Sequence, residues 1–127
     1  MSAPIPTKVH YHRKDSELEL GYADGESHRL PVEYLRVFSP SAEVRGHGRD
    51  TATLQVGKKF VGLKDITRAG RYALKLHFDD GHDSGLFSWD YLWWLIANRE
   101  ANWADYLERL EAAGASREPL GIEIKQL

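Results

Sequence analysis

The chain has 127 residues, 42% of them apolar and 28% charged, with 17 basic against 19 acidic side chains and no cysteine. That length specifies one domain with an ordinary core, and the lack of cysteine excludes disulfides, thiolate metal sites and cysteine nucleophiles. A net charge of -2 gives no pull toward nucleic acid, and the longest apolar run, Tyr91–Ala97, has seven residues where a membrane helix needs roughly 20.

Residues 1–7 (MSAPIPT) hold two prolines and no charged-then-apolar leader, so they read as the loose arm of a cytoplasmic protein. Val9, Tyr11 and Arg13 then alternate with His10 and His12. Leu18, Leu20 and Tyr22 share one face, with Glu17, Glu19 and Gly21 on the other, the period-two pattern of a half-buried strand. Asp24-Gly25 supplies the positive φ angles of a tight turn, His28–Leu30 returns, and Pro31 opens a short helix through Phe38. The plan recurs 56 residues later: Leu18 falls on Leu74, Leu20 on Leu76, Tyr22 on Phe78, and Asp24-Gly25 on Asp80-Gly81. Either the two halves solve one hairpin-plus-helix problem independently, which is the plainer reading, or they descend from a duplication.

Between the copies, Ser39–Thr53 reads as a long surface loop. Leu54–Val56 and Phe60–Ile66 suggest a second short hairpin, and Arg68–Gly70 turns into a strand over Tyr72–Phe78. Ser88 is placed to cap a helix running to Asn98. Trp103, Tyr106, Leu107 and Leu110 follow helical spacing within Glu100–Ala113, and Gly114 fits a helix stop. Residues 8–114 thus form the domain, and 115–127 a tail in which Leu120, Ile122 and Ile124 alternate. The fold class is α+β: a small, mostly antiparallel sheet built from two or three hairpins, with helices packed on one face.

Few residues here carry chemistry by pattern. His77-Phe78-Asp79 spells H-x-D, but a facial iron triad needs another histidine, and His82 lies across the predicted turn. His10 and His12 share a strand face, two donors of one type with no third in sequence reach. Gly57-Lys58 lacks the glycine and hydroxyl residue of a phosphate loop. Trp89, Trp93 and Trp94 open an aromatic helix that cannot bury every ring on one stripe, which leaves surface for a protein partner or for self-association.

The stretches Leu30-PVEYLRVFSPSAEVRGHG and Leu76-HFDDGHDSGLFSWDYLWWL resemble the small domain that precedes the catalytic barrel of γ-butyrobetaine and trimethyllysine dioxygenases, the DUF971 family. In those enzymes the domain holds a structural zinc on three cysteines and one histidine. The resemblance places these positions on Ser39, Ser41, Val44 and His82. Hydroxyls do not replace thiolates, and valine offers no donor, so the zinc site is degenerate and neither metal nor cofactor is expected. A weaker alternative joins His47, His82 and Asp83 around zinc or iron. The resemblance further implies that the iron and 2-oxoglutarate residues belong to a barrel this sequence lacks. The expectation is therefore a non-catalytic protein-interaction or adaptor domain that uses the aromatic helix and the Ser39–Thr53 loop, with no nucleic-acid or membrane partner. The alternative is a metal-binding accessory protein linked to iron or iron–sulfur cluster handling.

Overall fold

Leucines alternating with charged residues build the first sheet. Lys8–His12 (β1), Glu17–Gly21 (β2) and Ser27–Pro31 (β3) form an antiparallel meander in the order β1-β2-β3. Leu18 and Leu20 are fully buried beneath it. The structure, a computed structural model, describes residues 3–40, 54–83 and 85–119. The loop expected over Ser39–Thr53 therefore lies mostly outside the described residues, as do Leu120, Ile122 and Ile124 of the tail.

The second half repeats the first. Leu63–Ala69 (β4), Ala73–Phe78 (β5) and Leu86–Ser88 (β6) form another antiparallel meander, again ordered in sequence. A helix follows each: Val32–Val37 (α1) after β3 and Trp89–Ala97 (α2) after β6, with Arg99–Ala112 (α3) the last element among the described residues. The fold is α+β, and its hairpins divide between two three-stranded sheets. The reason is local: each meander passes straight from its third strand into a helix, so the chain leaves the sheet before it can extend it.

The two Asp-Gly turns match at the level of single hydrogen bonds. Tyr22 N–H donates to Glu26 O and Phe78 N–H to His82 O, at 2.8 and 2.9 Å. Gly25 N–H donates to Tyr22 O and Gly81 N–H to Phe78 O, at 3.0 and 3.3 Å. Asp24 and Asp80 each accept the amide two residues on. Only the glycines carry positive φ, +90° and +94°, so each loop is a three-residue turn ending in a left-handed glycine, longer than the two-residue turn expected.

Helix ends follow the sequence signals closely. Ser88 Oγ accepts the Tyr91 amide at 3.1 Å, and Gly114 (φ +65°) closes α3 with Gly114 N–H to Glu111 O and Ala115 N–H to Leu110 O, the paired bonds of a Schellman end. The hairpin expected within 54–66 does not form among the described residues. Gly57 and Lys59 instead donate to the carbonyls of Ser116 and Arg117, both at 3.0 Å, so this segment pairs with the residues just after the last described helix rather than with itself.

Both sheets, α1 and α2 bury one shared core, centred on Leu18, Leu20, Leu35, Leu76, Phe78, Phe87 and Leu92. Tyr11 of β1 fastens the sheets together, its hydroxyl accepting the Leu63 amide at 3.1 Å. A smaller cluster of Val37, Tyr106 and Leu110 seats α3.

Candidate functional site

The turn after β5 and the end of α1 meet in a polar corner. Ser39 is fully buried, and its Oγ stands 2.9 Å from Nε2 of His82 in a hydrogen bond. Gly85 closes the other side: a Cβ there would collide with Ser39 Oγ. Next to this pair, the buried Arg36 donates through Nε to Asp80 Oδ2 at 2.9 Å and through Nη1 to Gln55 Oε1 at 3.2 Å. Lys58 Nζ reaches the same Asp80 oxygen at 2.8 Å. Burial pushes the Asp80 carboxyl up, but Lys58, the His82 amide and Arg36 together outweigh it and hold the group at about 2. Asp80 is therefore a fixed anion at neutral pH, committed to two cations.

This arrangement brings together the first and last of the positions aligned with the zinc ligands, Ser39 and His82. Ser41, Val44 and His47 lie outside the described residues. A tetrahedral zinc would hold two ligand atoms about 3.5 Å apart and draws on thiolates. Here a neutral hydroxyl is bonded directly to the imidazole, and Val44 has no donor atom by its chemistry, so the residues present do not fit the zinc. Asp83 is exposed, and among the described residues His82 and Asp83 join no third donor. His77 bonds Thr67 Oγ1 across the strands at 3.0 Å, a cross-strand contact on the outer face of the central strand rather than an iron site. His10 and His12, by contrast, are joined by a donor the sequence order hid: Glu19 of β2.

The three tryptophans of α2 separate by burial. Trp89 is buried, and its indole N–H donates to Arg71 O at 2.7 Å. Trp93 packs edge-on against Tyr22, centroids 5.1 Å apart, and against His28. Trp94 remains 43% exposed and lies nearly parallel to Tyr91, with centroids 5.6 Å apart. The Tyr91 hydroxyl donates to Phe38 O, which pins that ring. Across the helices, a half-open groove of about 450 Å³ is lined by Pro31, Tyr34, Arg99, Trp103 and Leu107. At its end Arg117 forms a two-pronged ion pair with Glu33, both bonds 2.7 Å, and lies over Trp103.

Arg36, Gln55 and Gly85 have no site role in the sequence reading, and Lys58 enters it only as a rejected phosphate loop. Arg36 and Asp80 are 44 residues apart, and no local pattern marks a buried arginine inside a helix of six residues. The only advance signal was the repeated turn, which marked Asp80 as structurally special.

The family described as gamma-butyrobetaine hydroxylase-like, N-terminal matches residues 9–93. Two proteins with solution NMR structures are similar over nearly the whole chain. One is 50% identical, covers 99% of this chain and 99% of its own, and superposes with a TM-score of 0.81. The other is 45% identical, covers 98% and 95%, and has a TM-score of 0.80. A crystal structure from Acidithiobacillus ferrooxidans, described as a protein of unknown function in the DUF971 family, is 36% identical over 68% of this chain and 86% of that one, with a TM-score of 0.56. No curated protein matches the sequence. These likenesses place the chain in the gamma-butyrobetaine hydroxylase-like N-terminal family, DUF971.

Proposed function

We propose that the chain is a non-catalytic protein-interaction domain that meets a protein partner through the outer face of α2. The observation that carries this reading is the Tyr91–Trp94 stack. Trp94 stays exposed although Trp89, Leu92 and Leu95 of the same helix are buried. A rigid aromatic pair held by a core-anchored helix is the kind of side chain that dominates protein interfaces. The polar corner supports the same reading from the other direction. Its serine, carboxylate and cations are occupied with one another, which suits a structural role better than acid–base or nucleophilic work.

Capture from cell extract with matched baits tests the proposal. A partner retained by the native chain is expected to be lost by about tenfold or more with Trp94→Ala, and to be retained with Leu107→Ala on the groove. Equal recovery by the native and Trp94→Ala chains would overturn the assignment of the surface. Concentration-dependent sedimentation that Trp94→Ala abolishes would replace the foreign partner with a second copy of the chain.

A further inference from the structure

The first hairpin carries chemistry that neither the polar corner nor the aromatic helix uses. The register of β1 against β2 sets His10 opposite Glu19 and His12 opposite Glu17, all on the face away from Leu18 and Leu20. The imidazoles of His10 and His12 stack with centroids 4.3 Å apart and planes only 3° from parallel. Glu19 turns toward the second ring, its Oε1 2.6 Å from His12 Nε2. One donor atom from each of the three residues lies within 4.8 Å of the others. From this geometry we infer that His10, His12 and Glu19 form a binding site for a divalent late transition metal ion, zinc in the first instance.

Donor chemistry selects the class of ion. Two neutral imidazoles and one carboxylate suit zinc, copper or nickel, whereas magnesium and calcium favour all-oxygen sets. Three protein ligands leave a fourth position for water or for a donor from another molecule. The separations suit the ion as well. Zinc with nitrogen and oxygen ligands at about 2.0–2.2 Å spaces them roughly 3.4 Å apart, so entry requires the His12–Glu19 bond to open by less than an ångström and the two parallel rings to rotate out of their stack until both nitrogen lone pairs point at one ion. Extended strands supply this through side-chain rotation alone.

The carboxylate is also held from behind. Ser27 Oγ donates to Glu19 Oε2, the oxygen facing away from the histidines, and Lys8 Nζ stands 3.5 Å from that same oxygen. Such outer contacts orient a ligating carboxylate and leave Oε1 turned toward the histidines. Arg29, the register partner of Glu19 on β3, does not compete: its guanidinium is engaged by Asp15 and Glu17, each at 3.0 Å.

Calorimetric titration of the full chain with zinc chloride, and with copper chloride as the tighter-binding comparator, tests the site. One equivalent of zinc is expected to bind, and histidine ring resonances of His10 and His12 are expected to shift while that of His77 stays in place. His12→Ala and Glu19→Gln should each weaken binding by at least tenfold, while His82→Ala leaves it unchanged. His10→Asn serves as a second ligand variant that preserves strand polarity, and amide spectra of each variant check that the hairpin persists. Absence of saturable binding would overturn the proposal, as would binding that survives His12→Ala or disappears with His82→Ala.

Discussion

Tyr22 and Phe78 hold the same place in the two halves, just ahead of their turns, and differ by one oxygen. The Tyr22 hydroxyl is buried without a hydrogen-bond partner among the described residues, and burial pushes its ionisation up to about 12. A polar atom in that state costs about 1–3 kcal/mol relative to a satisfied one. Tyr22→Phe is therefore expected to stabilise the protein by about 1 kcal/mol, read as a higher denaturant midpoint at unchanged slope. The ring contact with Trp93 does not involve the hydroxyl and survives the change. Tyr34 makes the contrast: its hydroxyl donates to Leu95 O at 2.7 Å and accepts from Asn102 Nδ2 at 3.0 Å, so the same deletion there would strand two groups.

At the scale of elements, the approach of the chain into β6 is governed by the space Gly85 leaves. A Cβ built there falls on Ser39 Oγ, while Ser39 Cβ is 3.6 Å away, an ordinary contact. Ser39 is fully enclosed and cannot withdraw. Gly85→Ala is expected to destabilise by about 1–3 kcal/mol, the range for overpacking, and adding Ser39→Ala should recover part of the loss. Chemical denaturation of the two single variants and the double variant measures that coupling. Strands and helices were legible in sequence because their signals are local: alternation for β2 and β5, the Ser88 cap for α2, the Gly114 end for α3. The expected hairpin in 54–66 failed for the opposite reason. Gly57 and Lys59 take partners from residues 116 and 117, and a pairing across some 60 residues leaves no local trace.

Across the whole molecule, the Arg36–Asp80 pair ties α1 of the first half to the turn of the second. Both side chains are largely enclosed, 7% and 18% exposed, so removing one charge leaves the other poorly compensated. Asp80→Asn is expected to cost about 2 kcal/mol at neutral pH. The pH dependence has a definite sign. The carboxyl titrates at about 2 in the folded protein against an ordinary 3.8, so its contribution is complete above that ordinary value and fades as pH falls toward 2. The gap between the native chain and Asp80→Asn should therefore narrow over that interval in denaturation curves recorded from pH 7 downward. Glu19, held at about 2 by Ser27 and His12, adds acid sensitivity that this variant keeps. The site was less legible than the fold: the sequence displayed His10 and His12, yet their carboxylate comes from the adjoining strand, and only strand register names it.

The matching turns have an evolutionary corollary. The hydrogen bonds shared by the two loops run through backbone atoms and the aspartate, and the fifth residue, Glu26 in one copy and His82 in the other, enters them through its main chain. Those shared bonds place no demand on its side chain. One copy spends that liberty on an imidazole facing a serine, the other on a carboxylate beside His28. A lineage could thus trade a ligand for a latch, or the reverse, by altering a single codon while the scaffold stands still.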